Sequence, residues 1–192
     1  MRNTEKSTIE DFVVIAYLLK KAEKEGRGLT PLQVNKLVYI CHGWALGKLN
    51  RPLIDNRSGQ IEAWKYGPVV RGVYDRLKDW QAKEITYDCF CEKFGSYGLG
   101  KEQAKEFLSG EIADLEEKDP QICRLLDVVW YVYKDLTGGQ LITITHKEET
   151  PWQKHVKYGM FHRVVHGVHI PDSTIAEHYQ IKLANTPSLS DV

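Results

Sequence analysis

Residues 30–74 constrain the fold more than any other part of the chain, because helix-start chemistry, a polar crossover, a short aromatic segment and a glycine–proline break follow one another there. Thr30 is a good N-cap, and Pro31 suits the first helical position, where a missing N–H costs nothing. Val34, Leu37, Val38, Cys41 and Ala45 then recur at offsets of three and four, which is one face of a helix. Gly47 and Lys48 are read as its end, and Asp55 to Gly59 as a polar turn. Ile61 to Tyr66 is too short for a helix and aromatic enough for a strand or ordered arm. Gly67-Pro68 breaks the chain, and Val69, Val70, Val73, Tyr74 and Leu77 predict a second helical face.

Other segments carry helix signals of their own. Ser7-Thr8-Ile9-Glu10 reads as a capping box, opening a helix with Ile9, Phe12, Val13, Ala16 and Leu19 on one face. Ile15 and Leu18 widen that face, so the helix is expected to pack on two sides. Asp119-Pro120 starts another, with Ile122, Leu125, Leu126, Val129, Val132, Tyr133 and Leu136 in period. Thr137 and Thr150-Pro151 cap short helices, and Asp172 is read as the cap of a last one bearing Ile175, Ala176, Tyr179 and Leu183. Residues 161–170 read as a mixed loop.

Residues 85–90 have strand-like composition, and 101–118 are charged and helix-prone, so 81–118 is expected to be a variable surface insertion, with a hairpin at its start. The resulting expectation is one mainly α-helical compact domain over 7–184, with minor β or extended segments, a flexible 1–6 and a disordered 185–192. Its core helices are placed near 8–25, 31–47, 68–79, 120–136 and 173–183.

Charge and composition narrow the function. Lys plus Arg and Asp plus Glu both number 26, so no basic excess supports nucleic-acid binding. Neutrality removes one source of solubility, which leaves room for a homo-oligomer or a partner. The apolar run from Phe12 to Leu19 is too short to span a bilayer and lacks basic residues before it, so a cytoplasmic protein is expected. Cysteines 41, 89, 91 and 123 show no paired CxxC spacing, which suits a reducing compartment.

Candidate chemistry is sparse. His162, His166 and His169 lack a carboxylate or cysteine that would complete a zinc set, and Gly167 interrupts any shared helical face. Cys41 and His42 are adjacent, and neighbouring helical residues do not face each other. No P-loop, GxGxxG or GxSxG motif occurs, so neither metal, cofactor nor catalytic residue is assigned. His42, Trp44, Trp64, Tyr66, His146 and Trp152 each combine a ring with a polar handle. They are either core fillers or anchors of an interface. Lys65 and Arg71 bracket Tyr66-Gly67-Pro68 and predict a positive corner for an acidic partner segment. Trp64, Lys65, Tyr66, Gly67, Pro68 and Arg71 are therefore the candidate partner-binding residues.

Several blocks together carry a resemblance. Lys36-Leu37-Val38-Tyr39 with His42-Gly43-Trp44, then Pro52-Leu53, then Glu62-Ala63-Trp64-x-x-Gly67-Pro68-Val69, resembles the Panacea antitoxin domain. That bacterial and phage family includes SocA-like antitoxins and GepA-like phage-associated proteins. Leu141-x-x-x-Thr145-His146-x-x-x-x-Pro151-Trp152 is similar to its downstream block, and Ile175 to Tyr179 to its closing helix. With Tyr74, these motif residues are expected to be structural or to bind a partner. The resemblance implies an antitoxin that neutralises a cognate toxin by direct contact, in some members as an adaptor for an ATP-dependent protease. Two alternatives stand beside it: an enzyme built on the His42 and His146 aromatic cluster, and a DNA-binding regulator of its own operon.

Overall fold

In the computed structural model, which describes residues 8–185, the helix opened by Thr30 becomes the axis of the molecule. This helix, α2 (Pro31–Leu49), follows α1 (Asp11–Lys24) and starts with a reciprocal capping box between Thr30 and Gln33. Every residue from Val34 to Gly47 is buried, because α1 and the segments 67–70, 71–77, 120–133, 138–145 and 172–184 surround it. Gly47 does not end the helix. Two further residues follow, and Asn50 stops it in the left-handed region (φ 51°). Gly43 and Gly47 instead form the bed for Tyr179: a Cβ on Gly43 would lie 2.1 Å from its ring.

α1 begins later than the Ser7–Glu10 box implies. Glu10 is its N-cap in an extended conformation without a side-chain cap bond, and Ser7 lies outside the described residues. The expected packing on more than one side holds, since Val13 to Leu19 are all buried. The expectations for 1–6 and 186–192 also fall outside the described residues.

The largest departure is at Gly67-Pro68. Instead of starting a helix, Gly67–Val70 is strand β2, paired antiparallel with β1 (Ile61–Trp64) across a Lys65-Tyr66 turn. The register sets Trp64 opposite Gly67 and Ala63 opposite Pro68. Tertiary contacts override the local helix signal: the Asn35 amide, on α2, donates to the Val70 carbonyl (2.9 Å) and accepts from its N–H (3.1 Å). Asn35 thus acts as a substitute strand for the free edge of β2. The other edge of β1 is covered by residues 168–170, through Ala63 N–H to Val168 O and Ile170 N–H to Ile61 O, both 2.8 Å. The helix expected at 68–79 shrinks to α3 (Arg71–Leu77) and a 3-10 turn over Lys78–Trp80.

Residues 81–118 reach into the core, and no hairpin opens them. Ile85 bridges to Leu29, and the strand-like run becomes α4 (Tyr87–Gly95), capped by Thr86 and followed by α5 (Lys101–Lys118). Tyr87, Phe90, Cys91, Ala104, Leu108 and Ile112 enter the core against α1. Phe12, Phe94 and Phe107 form an aromatic cluster with centroids 5.3–6.1 Å apart. α6 (Pro120–Tyr133) is capped by Asp119 and buries Ile122, Leu125, Leu126 and Val129 as its period requires. Val132 departs from the expected core face and is 51% exposed.

α7 (Gly138–Thr145) and α8 (Pro151–His155) carry the caps read at Thr137 and Thr150. α9 (Asp172–Ala184) does not use Asp172 as its cap; Pro171 holds that position, and the Asp172 carboxylate is engaged elsewhere. The result is a mainly α-helical domain with one two-stranded hairpin among the described residues. No helix among them is long and apolar enough to cross a membrane.

Candidate functional site

The β1–β2 hairpin gathers most of the singled-out residues, because α2, α7 and α8 converge beneath its tip. The Trp152 indole N–H, on α8, donates to the Trp64 carbonyl at 2.7 Å. His146, at the end of α7, packs against Trp152 in a tilted arrangement with centroids 3.8 Å apart. Its ring nitrogens face two backbone carbonyls, Nδ1 toward Ile142 at 2.9 Å and Nε2 toward Lys65 at 3.3 Å. Thr145 donates its hydroxyl back to Leu141 and Ile142. The bonds to the Trp64 and Lys65 carbonyls pin the turn from below.

Lys36 lies under the same turn. It is fully buried, and its Nζ donates to the Pro68 carbonyl at 2.7 Å. Burial disfavours the charged amine and lowers its pKa to about 7. Gly67 closes the space above it. Its φ is +100°, and a Cβ there would lie 2.8 Å from Lys36 Nζ, 3.1 Å from Thr145 Oγ1 and 3.2 Å from the His146 ring. Both conformation and room therefore demand glycine at this position.

Above this cradle the tip is open. Tyr66 is 59% exposed, and the Lys65 ammonium sits 5.2 Å from its ring centre. Trp64 is half-buried, edge-on to Tyr74 (4.7 Å) and His166 (5.3 Å), and its indole N–H donates to Glu62 at 2.6 Å. Arg71 does not leave the corner positive. Its guanidinium lies 3.0 Å from Asp75 and 3.5 Å from Glu62, which offset its charge. Of the six partner-binding candidates, Lys65 and Tyr66 face solvent, Arg71 is ion-paired, Trp64 is half-covered, and Gly67 and Pro68 are buried supports.

The remaining motif residues divide between core and support. Leu37, Tyr39, Ala63, Val69, Leu141 and Pro151 are buried packing residues, Glu62 is a buried acceptor, and Tyr74 is partly exposed beside Trp64. Trp44 belongs to another face, packed edge-on against Tyr179 at 5.1 Å.

His42 is also remote from the tip. It is fully buried, and because the Ile54 N–H donates to its Nδ1, the proton resides on Nε2 and goes to Asp172 at 3.0 Å. Asn56 donates to the same carboxylate (2.6 Å) and to the Ile170 carbonyl, and accepts from the Ile61 N–H. Burial alone would raise the Asp172 pKa, but the bonds from His42 and Asn56 outweigh it and hold the group below its usual value. This network ties α2, the loop after it, β1 and α9 together. Its member Asn56, like Asn35, was not singled out from sequence, and Asp172 was read there only as a helix cap. A polar amide inside an otherwise apolar helix was the available signal for Asn35.

The side chains weighed for chemistry are placed as follows. The Cys41 thiol is buried and pushed well above its ordinary value by desolvation. His42 has both ring nitrogens committed. No group of three or more potential ligands that could hold a metal occurs among the described residues; His166 packs on Trp64, and His169 Nδ1 faces the Ile61 carbonyl.

Two comparisons bear on this arrangement. The family described as "Antitoxin SocA-like, Panacea domain" matches residues 34–153, from the start of the buried run of α2 through Trp152 and Gln153 of α8. Antitoxin SocA of Caulobacter vibrioides (strain NA1000 / CB15N) is 26% identical over 188 residues, covering 96% of this chain and 91% of the relative. No solved structure matches.

Proposed function

This chain belongs to the SocA-like antitoxin family with a Panacea domain, and from that premise we propose that it neutralises a cognate toxin by binding it, with the hairpin tip as a principal contact. The observation that carries this reading is an exposed Tyr66 and Lys65 held on a turn that Lys36, His146 and Trp152 brace from beneath. A contact group mounted on a fixed scaffold loses little freedom on binding, and tyrosine is a favoured anchor. Stoichiometric action, without turnover, is the corresponding mode. The histidines nearest to other functional groups are occupied by carbonyls and Asp172, and no activated nucleophile stands beside them.

The test is titration of the purified chain against the toxin encoded beside it. Neutralisation is expected to saturate near one to one, and Tyr66→Ala is expected to weaken binding by about 1 kcal/mol or more, as for an interface hot spot. Unchanged affinity would remove the tip from the interface. Rescue at far lower ratios would overturn stoichiometric sequestration. If that rescue also vanished without an ATP-dependent protease, the chain would be acting as a recycled adaptor.

A further inference from the structure

The end of the hairpin that carries Lys65 and Tyr66 has a second projection beside it. His169 bridges antiparallel to Glu62, so each step along β1 toward the Lys65-Tyr66 turn is matched by a step back from His169 toward Val165. The contact between the Trp64 and His166 rings marks where the two segments leave together. Residues 157–165 then double back on themselves. Tyr158 bridges to Val164, the Gly159 N–H donates to the Arg163 carbonyl, and the Val165 N–H donates to the Lys157 carbonyl, both at 2.8 Å.

At the apex Met160 and Phe161 are 80% and 83% exposed, and Phe161 takes a left-handed conformation (φ 59°, ψ 30°). A residue with a Cβ holds that conformation at a cost that glycine escapes. Neither core packing nor turn chemistry accounts for the ring, and strained backbone of this kind collects where a protein grips a ligand.

The loop also has a sign. No carboxylate occurs from Thr150 to Pro171. Lys157 and Arg163, on its shoulders, are exposed and have no side-chain partner among the described residues. Lys65 beside them leans on the Tyr66 ring and meets no carboxylate there. The acids nearby are already engaged: Glu62 and Asp75 face Arg71, Glu149 lies 3.9 Å from Lys154, and Glu148 adjoins Lys147 in the chain.

We propose that residues 157–165 form a second toxin-contacting element beside the Lys65-Tyr66 turn, with Phe161 entering an apolar pocket that carboxylates of the toxin surround. The proposal rests on the reading of this chain as a toxin-binding protein. A protein suits the loop better than a bilayer does, because Met160 and Phe161 together carry less hydrocarbon than one myristoyl chain, which alone binds membranes only marginally. The balanced charge of the whole chain offers no face that tracks phosphates. Two copies meeting face to face would bring Lys65, Lys157 and Arg163 against one another. A loop held by its own backbone bonds loses little freedom on docking.

Calorimetric titration of the full chain with the purified toxin encoded beside it tests this, using Phe161→Gly and the double variant Lys157→Glu/Arg163→Glu. Each should bind about tenfold more weakly or worse, as for an interface hot spot. Phe161→Gly should melt no lower than wild type, because glycine takes the left-handed conformation without strain. A lower melting temperature in that variant would assign the ring to folding and overturn the proposal. Unchanged affinity in either variant also overturns it. Tyr66→Ala separates this element from the turn: if Tyr66→Ala binds as wild type while both loop variants are weakened, the turn is not a contact and the loop is. If Tyr66→Ala alone weakens binding, the loop proposal fails and the turn reading stands. Absence of binding by the wild type removes both. Co-sedimentation with vesicles of equimolar phosphatidylcholine and phosphatidylglycerol that Phe161→Gly abolishes, or a dimer in sedimentation that it dissociates, overturns the proposal too, because the occupant is then a bilayer or a second copy.

Discussion

Lys36→Met replaces a fully buried amine with an apolar chain of similar length, and its effect should depend on pH in a direction the structure sets. The folded pKa of Lys36 is about 7 against an ordinary 10.5, and the cause is burial. Between those values the unfolded chain binds a proton that the folded chain does not, so stability rises with pH across the window. Below about 7 both states bind the proton, so the contribution levels off at its minimum and the folded protein carries a buried charge. At 1.36 kcal/mol per unit, the wild type should gain about 2–3 kcal/mol from this group between pH 6 and 9. The methionine variant lacks that gain, but it also leaves the Pro68 carbonyl without its donor, a cost of about 1–3 kcal/mol at either pH. Urea unfolding of both proteins at half-unit steps isolates the contribution, because the other titrating groups cancel in the difference. The variant should be the less stable protein at pH 9 and should recover relative to wild type as pH falls to 6. Parallel stability curves would refute the assignment of a deprotonating buried amine.

Three further outcomes follow from particular contacts. Gly67→Val should damage folding or partner binding far more than Arg71→Ala, since valine there needs a positive φ and meets Lys36, Thr145 and His146; circular dichroism and toxin affinity check this, and equal tolerance would contradict it. Leu126→Ala should cost about 2–5 kcal/mol in denaturant unfolding, because the position is fully buried, and a change within error would mean that the site collapses without penalty. Asp172→Ala should cost about 1–3 kcal/mol by leaving the buried His42 Nε2–H without an acceptor, while Asp172→Asn, which keeps a carbonyl oxygen, should recover part of that loss; no difference between the two would argue against the hydrogen bond.

Where a signal was local, the sequence was enough. Thr30-Pro31, Thr137 and Thr150-Pro151 satisfy their own first N–H groups within three residues, and each caps the helix expected of it. The periods of α1 and α6 identified most of their buried positions, because one face of a helix is set by chain geometry alone, whereas α2 is buried on every side and its period named a single face. The order of the motif blocks likewise pointed to the family that residues 34–153 match.

Tertiary structure decided the rest. Gly67-Pro68-Val69-Val70 carries a local helix signal and still forms a strand, since Asn35 supplies ladder bonds to Val70 from 35 residues away in sequence. Residues 85–90 read as a strand for their Ile, Thr, Tyr and Phe content, yet α4 begins at Tyr87, where Thr86 caps it and α1 covers its apolar side. Asp172 has the composition of a cap, but a buried imidazole and an amide compete for its carboxylate and win it. The candidate site shows the same division. Its residue types were visible in the sequence, while only packing could separate exposed Tyr66 from buried His42 and Trp152, or neutralise Arg71 with Glu62 and Asp75. A side chain's exposure and its partners depend on segments distant in sequence, and no local pattern encodes where those segments meet.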